Sequence, residues 1–169
     1  MTATGSPAVG VDGRQDFDFL LGRWRVENRK LRDPLDPHNT EWLEFAASAE
    51  TRPILAGLGN TDAYSAPDFP GRSQFEGLTL RLFDIEARVW RIWWASTAAG
   101  GRLDTPVVGR FTDGHGVFEC DDVLGGREVK VRYEWLDITP SSARWQQSFA
   151  FDGGEAWQTN WNMIWRREA

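Results

Sequence analysis

Phe75-Glu76-Gly77-Leu78-Thr79-Leu80-Arg81-Leu82-Phe83-Asp84 and, after a short turn, Val89-Trp90-Arg91-Ile92-Trp93-Trp94-Ala95-Ser96 decide the fold. Leu78, Leu80 and Leu82 recur at period two in the first run. Trp90, Ile92 and Trp94 do the same in the second. Period two is the spacing of a strand with one apolar face. Asp84 to Arg88 is too short for anything but a tight turn, so the two runs read as a β-hairpin.

The same script continues on both sides. Residues 24–31, 42–55 and 59–64 read as strands before the hairpin. Residues 107–112, 116–124, 127–139, 143–151 and 157–167 read as strands after it. In residues 42–55, Leu43, Phe45, Ala47 and Ala49 share one face. Asp113-Gly114-His115, Gly125-Gly126 and Asp152-Gly153-Gly154 are turns, and Pro140 marks another. Residues 32–40 and 65–73 are Pro-bearing loops, and 97–106 is a long Gly-rich connection. Residues 16–22 suit one or two helical turns, with Asp16 as cap and Gly22 as terminator. Residues 1–14 are expected to be a disordered leader, and 15–169 one domain.

About ten strands with short connections, and no helix long enough for a parallel crossover, make an antiparallel meander. A meander has two edges, and closure removes both. The expected fold is all-β: a single up-and-down antiparallel barrel, preferred to an open sandwich.

The 169 residues include ten Trp and carry a net charge of -6. An acidic balance argues against a nucleic-acid partner and against anionic membranes. The one cysteine, Cys120, forms no internal disulfide and suits a reducing compartment. The first residues lack a secretory pattern, and no segment reaches the roughly 20 apolar residues of a membrane helix. A cytoplasmic protein is expected.

From Gly22-Arg23-Trp24 onward the chain resembles the calycin superfamily, the lipocalins and fatty-acid-binding barrels. There, a Trp near the start of the first strand packs at the closed end under a basic residue from the last strand. The resemblance implies that role for Arg166 or Arg167. More closely, the chain resembles a bacterial family of lipocalin-like proteins of unassigned function. The matching text is Phe19-Leu20-Leu21-Gly22-Arg23-Trp24, Leu80-Arg81-Leu82-Phe83-Asp84, Arg144-Trp145-Gln146-Gln147, Asp152-Gly153-Gly154 and Asn160-Trp161-Asn162-Met163. The resemblance implies a barrel from Asp16 onward and brings no catalytic residues. Haem-binding calycins place a histidine at the iron; His38 and His115 both fall in turns or loops here, so haem is not expected.

Trp90, Trp94, Tyr133, Trp135, Trp145, Trp161 and Trp165 lie in strands, mostly in phase with apolar neighbours. In a ten-stranded barrel the inner face outgrows what side chains fill. Rings on that face would wall a lumen for a flat or greasy molecule. The other reading is that they fill the core. The candidate ligand-binding set is Trp90, Trp94, Tyr133, Trp135, Trp145, Gln147, Trp161 and Met163. Gln147 shares the phase of Trp145 and Phe149, whereas Asn160 is out of phase with Trp161. Trp93 must face away from Trp94, toward a loop or a homodimer contact.

Arg81, Arg110 and Arg132 interrupt strands. Turned inward they need partners, for which Glu119, Asp121, Asp122 and Glu134 are candidates; turned outward they are solvent-face charges, the preferred reading. Asp122, in phase with Phe118 and Leu124, is the candidate acid–base residue. His115, Glu119, Cys120 and Asp122 cluster in sequence, but strand alternation splits them, so no metal or cofactor is expected. Cys120 lacks an activating histidine and reads as a small core residue. Residues 97–106 are either a lid over one mouth or a plain connection.

Three functions fit. The first is binding of a small hydrophobic or aromatic molecule in a Trp-lined cavity. The second is an isomerase, cyclase or hydrolase of the same architecture. The third is an interaction protein with a filled core.

Overall fold

The computed structural model describes residues 12–169. The expected leader therefore lies outside the described residues over 1–11. Ten strands follow: β1 (Gly22–Leu31), β2 (Trp42–Ile54), β3 (Gly59–Ala66), β4 (Phe75–Asp84), β5 (Val89–Ser96), β6 (Val107–Thr112), β7 (His115–Leu124), β8 (Arg127–Leu136), β9 (Ser142–Phe151) and β10 (Gln158–Arg167). Each pairs antiparallel with its sequence neighbour, and β1 with β10, so the sheet is a closed barrel. Closure leaves no strand at a sheet edge among the described residues. His115 begins β7 and does not lie in the turn; its Nε2 meets Glu134 Oε1 at 3.0 Å on the outer face.

Alternation sets the inner wall. Trp24, Val26 and Asn28 on β1 are buried, as are Leu43, Phe45, Ala47 and Ala49 on β2. On β4 the alternation runs opposite to what its leucines suggest. Leu78 is 45% exposed, and Leu80 pairs across to Trp93 on the outer face. The inward set is Thr79, Arg81 and Phe83, opposite Trp94, Ile92 and Trp90. The β4–β5 register explains this. Trp90, Ile92 and Trp94 are committed to the interior, and their cross-strand partners must share that side. The leucines instead lie beside Trp93 in an outer apolar strip.

The end of the barrel at the start of β1 is solid. A single 3-10 turn, Asp18–Leu20, lies across it. The expected Asp16 cap is not made: Phe17 occupies the cap position without a side-chain hydrogen bond. Phe17 instead points inward, with ring centroids 4.9 Å from both Trp90 and Phe111. Trp24 Nε1 donates to Leu20 O at 2.8 Å, and Trp90 Nε1 donates to Gly13 O at 3.0 Å. Of the two candidate basic residues it is Arg167 that covers Trp24, its guanidinium carbon 4.3 Å from the ring centroid. It also donates to Leu21 O and Phe19 O, both at 2.6 Å, strapping the turn down.

The far end is looser. Phe69, from the β3–β4 loop, packs 4.4 Å from Phe45 and 4.7 Å from Phe75. Strand β5 pairs with β6 only over Trp90–Ile92 against Val107–Gly109. Beyond that seam, residues 97–106 run over the wall, held where Asp104 N donates to Trp94 O at 2.7 Å. None of the helices among the described residues is long and apolar enough to cross a membrane.

Candidate functional site

Between the solid end and the looser mouth lies a cavity of about 210 Å³. Its wall takes Trp94 and Ile92 from β5, Tyr133 and Trp135 from β8, Trp145, Gln147 and Phe149 from β9, and Trp161, Met163 and Trp165 from β10. Tyr64 and Asp62 come from β3, Thr79 and Arg81 from β4, and Asp104 from the 97–106 segment. The lining therefore combines a continuous aromatic wall with a few polar groups.

Of the residues singled out from sequence, Trp94, Tyr133, Trp135, Trp145, Gln147, Trp161 and Met163 come together on this wall, with Trp165. Trp90 does not. It is buried in the solid end, between Phe17 and Phe83, its N–H taken by Gly13 O. Asp122 also lies outside the lining; it is half-buried near the mouth end of β7 and accepts from Val123 N at 2.7 Å. The carboxylate that does reach the cavity from the mouth side is Asp104. The residue is exposed at the mouth, but partial desolvation of its carboxyl against the wall raises its pKa above the ordinary 3.8, and the nearby Asp122 charge raises it further. A carboxyl so placed can hold or release a proton at the cavity wall.

The rings are fixed by edge-to-face contacts and one polar clamp. Trp145 meets Trp161 at 5.6 Å and Tyr133 at 5.0 Å, and Trp135 meets Trp165 at 5.3 Å. Such pairs add about 0.5–1.5 kcal/mol beyond burial. Buried Asn28 accepts from Tyr64 Oη at 2.7 Å and from Trp161 Nε1 at 3.0 Å, tying β3 and β10 to β1, which lies between them. Burial, partly offset by the Asn28 bond, pushes the Tyr64 hydroxyl well above its usual range, so it stays protonated. Burial does the same to Tyr133. Gly77 is what lets Trp94 lie flat on β4: any Cβ there would collide with the indole.

Gln147 Nε2 donates to Asn160 Oδ1 at 2.8 Å. A register shift between Thr159 and Trp161 turns both Asn160 and Trp161 inward, which resolves their opposite phase. Arg81 is 3% exposed, against its expected solvent-face position. Its Nη2 donates to Asp62 at 2.7 Å and its Nη1 to Asn60 at 2.9 Å. Asp62 was not among the partners that the sequence offers, because β3 carries no strong apolar alternation to mark its inner face. Arg132, by contrast, is an outer-face residue paired with Glu119 at 2.6 Å, and Arg110 is exposed on β6.

At the mouth a second hollow of about 450 Å³ shares Trp94 and Trp161 with the cavity and is lined by Lys30, Arg32, Phe69 and Arg72. Lys30 Nζ lies 5.3 Å from the Trp161 ring centroid. Burial there, with the Arg72 charge, lowers its pKa to about 8. Cys120, on β7, packs against the core with its Sγ 4.0 Å from Thr105 O, and burial raises its thiol to about 11, so it is no thiolate nucleophile at neutral pH. Among the described residues no group of three His, Cys, Asp or Glu side chains is placed to hold a metal ion.

No protein-family model matches the chain, and no curated protein matches it. Solved structures do. An S-type phycobiliprotein lyase, CPES, from Guillardia theta aligns over 94% of this chain and 96% of its own, with a TM-score of 0.58 and 12% identity. Rv2717c from M. tuberculosis aligns over 93% and 98%, with a TM-score of 0.60 and 12% identity. At that identity the likeness is one of fold: a ten-stranded lipocalin-like barrel.

Proposed function

We propose that this barrel binds one small hydrophobic or aromatic molecule in its central cavity. The observation that carries the reading is the space of about 210 Å³, open toward the mouth and walled by Trp94, Trp135, Trp145, Trp161 and Trp165. Wall-to-wall indoles supply area and ring contacts to a flat guest. The volume is below the 300–1,000 Å³ typical of drug-sized ligands and above an engineered cavity of about 150 Å³ that takes benzene. A one- or two-ring molecule is the matching size. Trp94, Tyr133, Trp135, Trp145, Trp161 and Met163 form the contact surface, and Gln147 orients the guest. Trp90 serves the solid end instead. The likeness to a phycobiliprotein lyase is consistent with a barrel that handles a small molecule, and it adds no ligand identity.

Native mass spectrometry of gently purified protein tests this. The expected result is a population heavier than the chain by one small-molecule mass, lost on collisional activation. A bare chain mass, together with no saturable change in Trp emission when hydrophobic probes are added, would overturn it.

A further inference from the structure

The cavity wall is not uniformly apolar at its inner end. Arg81 and Trp165, each 3% exposed, both line it. Arg81 Nε and Trp165 Nε1 are buried N–H donors without a hydrogen-bond partner among the described residues. A buried donor left unmade is costly and is uncommon in native proteins. The two belong to one end of the cavity. The Arg81 guanidinium lies 5.3 Å from the Phe17 ring centroid, Phe17 lies 6.4 Å from Trp135, and Trp135 lies 5.3 Å from Trp165. The other indoles of the solid end, Trp24 and Trp90, give their N–H groups to backbone carbonyls. Trp165 alone of these three indoles lines the cavity, and its donor is unspent.

Resting on the reading of the cavity as a ligand site, we propose that the cavity selects a small neutral aromatic molecule carrying a hydrogen-bond acceptor, such as a ring ketone, its oxygen received by Arg81 Nε–H and Trp165 Nε1–H. Two unspent donors call for an acceptor oxygen. One N–H of each Arg81 terminal nitrogen is taken, by Asp62 and by Asn60, so the guanidinium is held in place and its charge is balanced by the Asp62 carboxylate. A second anion would face the Asp62 and Asp104 carboxylates on the same wall. That disfavours a carboxylate ligand. The polar end lies deep and the aromatic rings surround the body, so the molecule enters oxygen first.

Calorimetric titration of the whole chain with indane and 1-indanone tests this, since the two differ only by a ring CH₂ and a C=O. The expected result is at least about tenfold tighter binding of 1-indanone, the scale of one or two buried hydrogen bonds. Trp165→Phe keeps a ring and deletes the donor. It should weaken 1-indanone more than indane, so that the preference for 1-indanone over indane falls severalfold; an unchanged preference would overturn the role of the Trp165 donor. Equal affinities in the unsubstituted protein would overturn the proposal while leaving the cavity reading intact. Tighter binding of indane-1-carboxylate or 1-aminoindane than of 1-indanone would also overturn it, by replacing the neutral acceptor with a charged group. Binding of none of the four would instead sink the cavity reading on which the proposal rests.

Discussion

The two ends of this barrel use the same residue type for opposite purposes. At the solid end, Trp24 and Trp90 bury their rings and give their N–H groups to Leu20 O and Gly13 O. Phe17 and Arg167 then close over them, one from inside and one from outside. One turn further into the barrel, Trp135, Trp145, Trp161 and Trp165 touch mainly edge to face and leave a hollow. A plug residue can fill a tapering end, where strands converge on a short 3-10 turn. It cannot reach the middle, where ten strands hold the walls apart. Indole content by itself thus says nothing about filling; what matters is whether a local segment supplies the plug and the hydrogen-bond acceptors.

The largest effect that would break this contrast comes from removing the plug. Phe17→Ala should cost about 3–5 kcal/mol, as for other buried aromatic truncations. Urea denaturation would register it, and a cost near zero would mean the solid end is not what holds the barrel shut. Filling the hollow should behave in the opposite way. Ile92→Phe enlarges a buried cavity-lining side chain and should change stability by less than about 1.5 kcal/mol, because the void accepts it. The same substitution should reduce 1-indanone affinity more than tenfold by calorimetry. A large stability loss would show the core already packed there.

Smaller changes sharpen the comparison. Arg167→Ala removes the cation over Trp24 and the donors to Phe19 O and Leu21 O. It should cost about 1–2 kcal/mol and leave ligand affinity unchanged, since the strap lies outside the barrel. At the mouth the effect should depend on pH. Partial desolvation, then the Asp122 charge, holds the Asp104 pKa above 3.8 in the folded protein. The native state therefore binds that proton more readily than the unfolded chain. Its contribution to stability is present below the unfolded pKa and is lost as pH rises through the folded one. In Asp104→Asn, melting temperatures measured across that window should fall less with rising pH than in the parent.

Much of the frame was legible in the chain. Period two in residues 42–55 and 89–96, with turn residues between runs, was enough for ten strands and closure. The aromatic phase gathered Trp94, Trp135, Trp145 and Trp161 on one wall. Inner and outer faces of β4 were not legible, because Leu78, Leu80 and Leu82 are the more apolar set yet face outward. The choice was made across the sheet, by the register with Trp90, Ile92 and Trp94. The Arg81–Asp62 pair was hidden for the same reason, and Asp104 because a connecting segment carries no period at all. Trp90 was misplaced among the wall residues since phase fixes a side but not a height along the barrel. The 3-10 turn that determines its height touches it through Phe17, more than seventy residues away in sequence.

The most direct test of the central claim is titration of the native Trp emission with bromobenzene, a one-ring heavy-atom quencher. The hollow barrel predicts saturable quenching with one site per chain, abolished in Ile92→Phe. Quenching that rises linearly with concentration and is identical in the two proteins would contradict it.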